Sequence, residues 1–345
     1  MNFASDNITG ASAEILDAMI RENAGNAMPY GNDDLTARVE KQICDLFETD
    51  AAVFLVATGS AANSLALSVM TPPYGSVLCH WTSHIFEDEC GAPEFFTNGA
   101  RMVPVDGALG KLDIADLDTK SGHGTGDVHM LQPAAASITQ ITELGTLYTI
   151  DEIGAVSEVC QRRNLKLHMD GARFANAVVA LDCAPADITW RAGVDVLSFG
   201  ATKNGALGAE AVVFFDKQLA ETFAFRRKRG GHLFSKMRLL SAQMDAYLTD
   251  DLWRRNATHA NDMAARLHDG LSVIPGVDFP IPIAGNMLFP TIPRTIRERL
   301  HADGFKFYDD RWEEHVTRLV TAFNTPESDV DAFIAAVASH ASAGT

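Results

Sequence analysis

Two residues of this chain have the types and the spacing for one particular chemistry. Asp170 stands in His168-Met169-Asp170-Gly171-Ala172-Arg173, and Lys203 follows 33 residues later in Gly200-Ala201-Thr202-Lys203-Asn204-Gly205. Each closes a short apolar run of the kind that forms a buried strand. A lysine amine condenses with an aldehyde to a Schiff base, and a carboxylate beside a pyridine nitrogen keeps that nitrogen protonated. These are the two fixed points of a pyridoxal 5'-phosphate site. The charge effect is large enough: a carboxylate about 4 Å from a pyridinium contributes roughly 4 kcal/mol at an effective dielectric near 20, about three pKa units. Taken singly, each residue also has a plain structural reading. Most lysines are surface residues, a strand-end aspartate is often a turn former, and Arg173 would serve as an ion-pair partner for Asp170. Glycines at 200, 205 and 208 and two flanking apolar runs favour a site over an exposed loop tip.

Three further segments carry residues of related chemistry. Thr58-Gly59-Ser60 lies between an apolar run and a helical pattern, and free N–H groups at a helix N-terminus cradle phosphate. Many α/β turns look the same, so this signal is weak alone. His84, just after Val77 and Leu78, is either a satisfied buried histidine or a ring stacked on a flat cofactor and placed for proton transfer. Arg318 shares a strand face with Val316 and Val320, where a charge needs an anion opposite. A structural carboxylate would do; a substrate α-carboxylate, gripped two-pronged by guanidinium, is the sharper possibility.

The elements needed to position these residues are visible in the pattern. Ser12 precedes a helical periodicity with Ile15, Leu16, Met19 and Ile20 on one face. Asp33 and Asp34 open a second helix burying Leu35, Val39, Ile43 and Leu46. From residue 51 strand and helix alternate, which predicts an α/β chain with a largely parallel sheet. Residues 51–70 are uncharged and about as long as a membrane span, but Thr58, Gly59, Ser60, Asn63 and Ser64 break the run into strand, turn and helix. Between Phe199 and the apolar run starting at Ala211 there are only eleven residues. That is short for a parallel crossover, so a hairpin-like return and one antiparallel strand are expected, with Lys203 in the return. The expected architecture is a three-layer α/β/α large domain plus a smaller C-terminal α/β domain. Its divisions are an N-terminal arm over residues 1–13, a large domain over 14–245 and a small one over 246–345, the last closed by a helix that Thr325 and Pro326 open.

Composition narrows the class. The chain has 345 residues, 47% hydrophobic and 21% charged, with a formal net charge of −17. That charge argues against nucleic acid or an anionic membrane surface as a partner. Five scattered cysteines (Cys44, Cys79, Cys90, Cys160 and Cys183) without a C-x-x-C pair suggest reduced thiols. Together with a start that lacks an export signal, they give the expectation of a cytoplasmic protein. No metal-ligand pattern is present.

In the order and spacing of its segments the chain resembles the low-specificity L-threonine aldolases, pyridoxal phosphate enzymes of the aspartate-aminotransferase fold (fold type I). The resemblance rests on Ser5-Asp6-Asn7, Tyr30-Gly31-Asn32-Asp33, Thr58 to Asn63, His84, Glu89-Cys90-Gly91-Ala92-Pro93-Glu94-Phe95-Phe96, His168 to Arg173, Thr202-Lys203-Asn204 and Arg318-Leu319-Val320. It implies that Lys203 holds the cofactor, Asp170 pairs with the ring nitrogen, His84 stacks on the ring, and Gly59 and Ser60, with Thr58, bind the phosphate. Ser5, Arg173 and Arg318 would surround the substrate carboxylate, with Tyr30 also at the substrate. The basic run containing Lys228, or Lys236, would reach the phosphate of a neighbouring subunit, in a homodimer or a dimer of dimers with shared active sites. The implied reaction is retro-aldol cleavage of L-threonine, L-allo-threonine or a relative such as phenylserine to glycine and an aldehyde. An aminotransferase or β-eliminating enzyme of the same fold, or a non-catalytic scaffold, are the alternatives. Thr142 stands where one branch of the family carries a basic histidine, leaving His84, Glu87, His129 or a water as the base. Asn32 stands where many relatives carry Asp.

Overall fold

The computed structural model describes residues 1–309 and 316–342. Its centre is a seven-stranded sheet of β1 (Ala52–Val56), β2 (Gly75–His80), β3 (Arg101–Val105), β4 (Gln132–Thr139), β5 (Lys166–Gly171), β6 (Val196–Gly200) and β7 (Glu210–Phe214). The spatial order is β1-β7-β6-β5-β4-β2-β3. Only β7 opposes its neighbours, pairing antiparallel with both β1 and β6. The short connection after Phe199 is therefore the hairpin-like return that its length dictates, and the one antiparallel strand lies where expected.

Helices cover the sheet because their caps and apolar faces agree. Thr149 caps the helix Ile150–Arg163 in a reciprocal capping box with Glu152, and this helix buries Ile153, Val156, Val159 and Cys160. Asp33 accepts from Thr36 N at 2.9 Å to start the helix Asp34–Leu46. The uncharged run at 51–70 resolves into β1, a turn and the helix Gly59–Met70. Among the described residues no helix is long and apolar enough to cross a membrane. Under β5 to β7, Phe47, Phe174 and Phe199 meet in tilted and edge-on pairs at 5.7–5.8 Å.

The helix Ala13–Glu22 differs from its expected packing. It buries Ile15 and Ala18 against the helix Arg238–Leu248, while Leu16 and Ile20 are exposed. A single helix neighbour covers only a narrow stripe, so half of the apolar face stays uncovered within one chain.

Beyond the helix Leu252–Ser272, a three-stranded antiparallel sheet forms from β8 (Met287–Leu288), β9 (Tyr308–Asp309) and β10 (Thr317–Val320), in the order β8-β10-β9. It has its own apolar cluster around Leu267, Leu300, Leu319 and Phe333, into which Phe3 inserts. The first residues run along this sheet, with Phe3 N donating to Lys306 O and Val320 N to Phe3 O. Thr325 accepts from Ala322 N at 2.8 Å, within the turn that precedes the helix Glu327–Ser342, instead of capping that helix.

Two glycines are required by close approach. A side chain at Gly200 would meet Ala172 backbone at 2.8 Å, and one at Gly171 would meet Ser198 O at 2.8 Å. The tips of β5 and β6 can pack this tightly only without Cβ atoms there.

Candidate active site

Most of the residues expected at a site gather at one edge of the large sheet, beyond the carboxyl ends of its parallel strands, where α/β folds keep their ligands. Thr58 follows β1, His84 follows β2, Asp170 ends β5 and Lys203 follows β6. A cavity of about 330 Å³ lies there, lined by Thr58, Gly59, Ser60, His84, Asp170 and Lys203 among others. A second, of about 390 Å³, is lined by Ser5, Arg173, Arg318 and Tyr308, and shares His84, Glu143, Arg173 and Lys203 with the first.

Lys203 sits in the helical turn Thr202–Asn204. Asn204 anchors that turn by donating 2.8 Å bonds to Tyr247 Oη and Trp253 O. Among the described residues the Lys203 amine makes no hydrogen bond or ion pair. Burial pushes its pKa down and the Arg173 charge adds to that, against Asp6, Asp170 and Glu210. A depressed amine is the more available nucleophile.

Asp170 is buried, accepting from Ala172 N at 3.0 Å and from Asn63 Nδ2 at 2.9 Å. Two residues upstream, His168 lies between Ser137 Oγ at 2.9 Å and Ser198 Oγ at 3.0 Å, and burial takes its pKa down to about 4. That ring is a neutral strut.

At the cradle, Thr58 is the N-cap of the helix Gly59–Met70 and its hydroxyl accepts from Ala61 N at 3.2 Å. The first N–H groups of the helix have no intrahelical partner. A Cβ added at Gly59 would meet no atom within 4 Å, so space is open in front of them.

Arg173 pairs with a residue other than Asp170. Its guanidinium grips Asp6 in a two-pronged bond, Nε to Oδ2 at 2.7 Å and Nη2 to Oδ1 at 2.9 Å, and Asn286 donates to Asp6 at 3.1 Å. Burial opposes the Asp6 charge, but Arg173, Lys203 and these hydrogen bonds outweigh it and hold the carboxyl below its ordinary range. The stability this pair confers is present above the ordinary carboxylate pKa, near 3.8, and is lost as the pH falls through the lower folded-state value. Asp6→Asn leaves a largely buried guanidinium, its side chain 11% exposed, without its counter-charge. It is expected to cost about 3–5 kcal/mol, read as a shifted denaturation midpoint at pH 7, and to flatten the loss of stability below pH 4.

Arg318 donates through Nη2 to Ala4 O at 2.8 Å and lies over the Tyr308 ring, 5.1 Å from its centroid. Ser5 Oγ accepts from Asn7 N at 3.1 Å. The N-terminal segment thus forms one wall of the second cavity. His84 carries Glu89 on Nδ1 at 2.9 Å, and its backbone N–H donates to Glu143 at 2.7 Å.

Some expected residues lie elsewhere. Tyr30, Lys228 and Lys236 do not line either cavity; Lys228 Nζ sits 4.8 Å above the Tyr30 ring. His129 lines a different pocket with Ser76, Arg101 and Pro133, at the opposite end of the strands. Thr142 is buried, its hydroxyl 2.8 Å from Thr146 Oγ1. Of the four base candidates, His84 and Glu87 remain beside the cleft, with a water as the third.

Four residues at or beside the cleft were not singled out from sequence: Asn63, Glu143 and Glu210, which line it, and the buried Glu89. Asn63 lies one helical turn after Gly59, the spacing that returns a side chain to the same face, and this was the available signal. Glu143 and Glu210 are pushed by burial to about 7, Asp170 contributing to both, though hydrogen bonds pull each back. Nothing local in the sequence marks that burial.

The beta-eliminating lyase family profile matches residues 2–290, which take in the sheet with a lysine on its hairpin return and an aspartate on the adjacent strand tip. The chain is 45% identical over 309 residues to a low specificity L-threonine aldolase of Pseudomonas aeruginosa, covering 89% of this chain and 88% of that one. A low specificity L-threonine aldolase of a Pseudomonas sp. is likewise 45% identical, over 306 residues, 89% of this chain and 88% of that one. Among solved structures, Leishmania major threonine aldolase matches with a TM-score of 0.92 and 31% identity over 99% of both chains. The chain belongs to the low-specificity L-threonine aldolase family.

Proposed function

We propose that this protein is a pyridoxal phosphate-dependent carbon–carbon lyase that cleaves L-threonine, L-allo-threonine or a related β-hydroxy-α-amino acid, such as phenylserine, to glycine and an aldehyde. The observation that carries this reading is the Lys203 amine, without a hydrogen bond or ion pair among the described residues, in one cavity with Asp170 on the adjoining strand tip. The residues present fit the cofactor. Lys203 would hold its aldehyde carbon and Asp170 its ring nitrogen, and the open N–H groups at Gly59 and Ser60, beside Thr58, would take its phosphate. When bound, the cofactor supplies an acceptor for the electron pair left on Cα.

The chain's own residues do the rest. Arg318, and Arg173 held by Asp6, put positive charge along the second cavity for the substrate carboxylate, with Ser5 beside them. Two fixed charges orient the substrate so that one particular bond at Cα is the one that breaks. His84 takes the β-hydroxyl proton. The O–H electron pair becomes the carbonyl bond of the departing aldehyde, the Cα–Cβ bond breaks, and protonation at Cα gives glycine.

Tyr30, Lys228 and Lys236 serve a second copy in this reading, in a homo-oligomer with shared active sites. Their position outside their own chain's cavities supports it, as do the exposed Leu16, Ile20 and Phe225. The same reading divides the chain into an arm (1–13), a large domain (14–245) and a small domain (246–345), and the presence of two separate sheets supports it. Five unpaired cysteines support a reducing, cytoplasmic setting.

The direct test supplies β-hydroxy amino acids without any keto acid and measures glycine and aldehyde together. Equimolar release is expected; turnover only with a keto-acid acceptor would make the protein an aminotransferase instead. Arg318→Ala should raise KM for every accepted amino acid by about 10- to 100-fold, the loss of a charged hydrogen bond of roughly 1.5–3 kcal/mol. Arg318→Lys should recover part of it, and an unchanged KM in Arg318→Ala would return this residue to holding Ala4.

A further inference from the structure

Beside the cleft, four side chains form one hydrogen-bonded line. His84 Nδ1 lies 2.9 Å from Glu89 Oε1. Asn63 Nδ2 lies 2.9 Å from that same oxygen and 2.9 Å from Asp170 Oδ2. Ser64 Oγ reaches Glu89 Oε2 at 3.3 Å. The Glu89 side chain has no exposed surface.

The chemistry of the line determines its direction. An amide nitrogen has two hydrogens and no capacity to accept, so Asn63 donates one to each carboxylate. Turning the amide over would aim its oxygen, buried without a partner, at two acceptors. Glu89 Oε1 therefore accepts from both sides, which puts the proton of the neutral His84 ring on Nδ1. The other ring nitrogen, Nε2, makes no hydrogen bond among the described residues and belongs to a side chain lining both cavities.

We propose that Glu89 is a positioning residue. It fixes the tautomer and orientation of His84 so that Nε2 is the nitrogen exchanging protons with substrate, and through Asn63 it ties that ring to Asp170. Two groups lining one cavity are thereby set as one unit. The logic is that of a buried carboxylate orienting a catalytic imidazole. The ionisation tendencies agree. The hydrogen bond to Glu89 is the largest influence raising the His84 pKa, against burial, with Asp170 adding and Lys203 opposing. Burial raises Glu89 itself, against its bonds from His84 and Asn63. The other charged groups around His84 are Glu143, on its backbone N–H, and Glu87, Asp88, Arg173 and Arg318 across the second cavity.

The role in catalysis rests on the proposed reaction; the positioning itself does not, so the test reads both. In Glu89→Gln the His84 titration, followed by NMR of the full-length protein without cofactor and assigned with His84→Asn, should move to lower pH. A ring must be neutral to accept a proton, so the acid limb of kcat for threonine should move the same way. At the optimum kcat should fall at least about 10- to 100-fold, the loss seen on removing the carboxylate behind a metal-bound histidine, with KM little changed. The double variant Glu89→Gln/His84→Asn should be no worse than His84→Asn alone, since the two act as one unit. An unmoved titration in Glu89→Gln, or strictly multiplicative losses in the double variant, overturns the proposal. If Glu89→Gln does not fold, the same titration and cycle are run on Glu89→Asp, where a wild-type titration together with wild-type kcat overturns it. Failure of the wild-type protein to release glycine would sink the proposed reaction and leave the titration result standing.

Discussion

Lys203→Ala is expected to abolish turnover and covalent cofactor attachment while leaving the fold intact. The loss in kcat is expected to be on the order of 10³-fold or more, as for other nucleophiles removed from a catalytic unit. The structure separates this loss from unfolding. The Lys203 amine makes no hydrogen bond or ion pair among the described residues, so its removal leaves no stranded partner. Burial and the nearby Arg173 both disfavour its charge. The melting temperature should therefore be unchanged or slightly higher. Lys203→Arg is the companion variant: it keeps a positive charge in the cleft and should be equally inactive. Attachment is checked by the absorption band expected of a lysine-bound cofactor, which borohydride should abolish in the wild-type protein and which Lys203→Ala should lack. Retained cleavage of threonine by Lys203→Ala would contradict the role given to this lysine.

Asp170→Asn is the second large effect. A carboxylate about 4 Å from a ring nitrogen favours the protonated ring by roughly 4 kcal/mol at an effective dielectric near 20. Losing it corresponds to about three pKa units, and so to about 10³-fold in a rate that needs the protonated ring. The substitution also disturbs the wild-type hydrogen bonds. Asp170 accepts at both oxygens, from Ala172 N and from Asn63 Nδ2, and an amide can accept at only one end. If the new amide keeps its oxygen on Ala172 N, its NH₂ faces Asn63, which already donates to Glu89. Weaker cofactor binding, measured by equilibrium titration, should accompany the slower single-turnover rate. A variant with near wild-type kcat/KM would show that the ring nitrogen needs no carboxylate here.

Much of the site could be read in advance because strand ends are local events. Val196–Gly200 and Lys166–Gly171 are short strands that end at or just before residues with chemistry, and the short return to β7 places Lys203 at a sheet edge. The likeness carried by the segments from Ser5 to Val320 supplied the roles that single residues could not. Less visible were partnerships across long separations. Arg173 reads as a partner of Asp170 three residues away, yet it pairs with Asp6 near the start of the chain, because the first residues run along the small sheet and enter the cleft. Likewise the periodicity of the first helix predicts a wide buried face, yet Ile15 and Ala18 are buried while Leu16 and Ile20 stay exposed.

By itself the sequence determined the alternation of strands and helices, the reversal before β7, the family, and the pairing of a lysine with an aspartate at the sheet edge. Each follows from local periodicity, from connection length, or from residue types in a set order. Only the tertiary structure decided which groups are buried together: Glu143 and Glu210 near neutrality, Asn63 between two carboxylates, and Glu89 on the His84 ring. Burial and hydrogen-bond partnership depend on everything that packs around a side chain, and that environment is assembled from segments far apart along the chain.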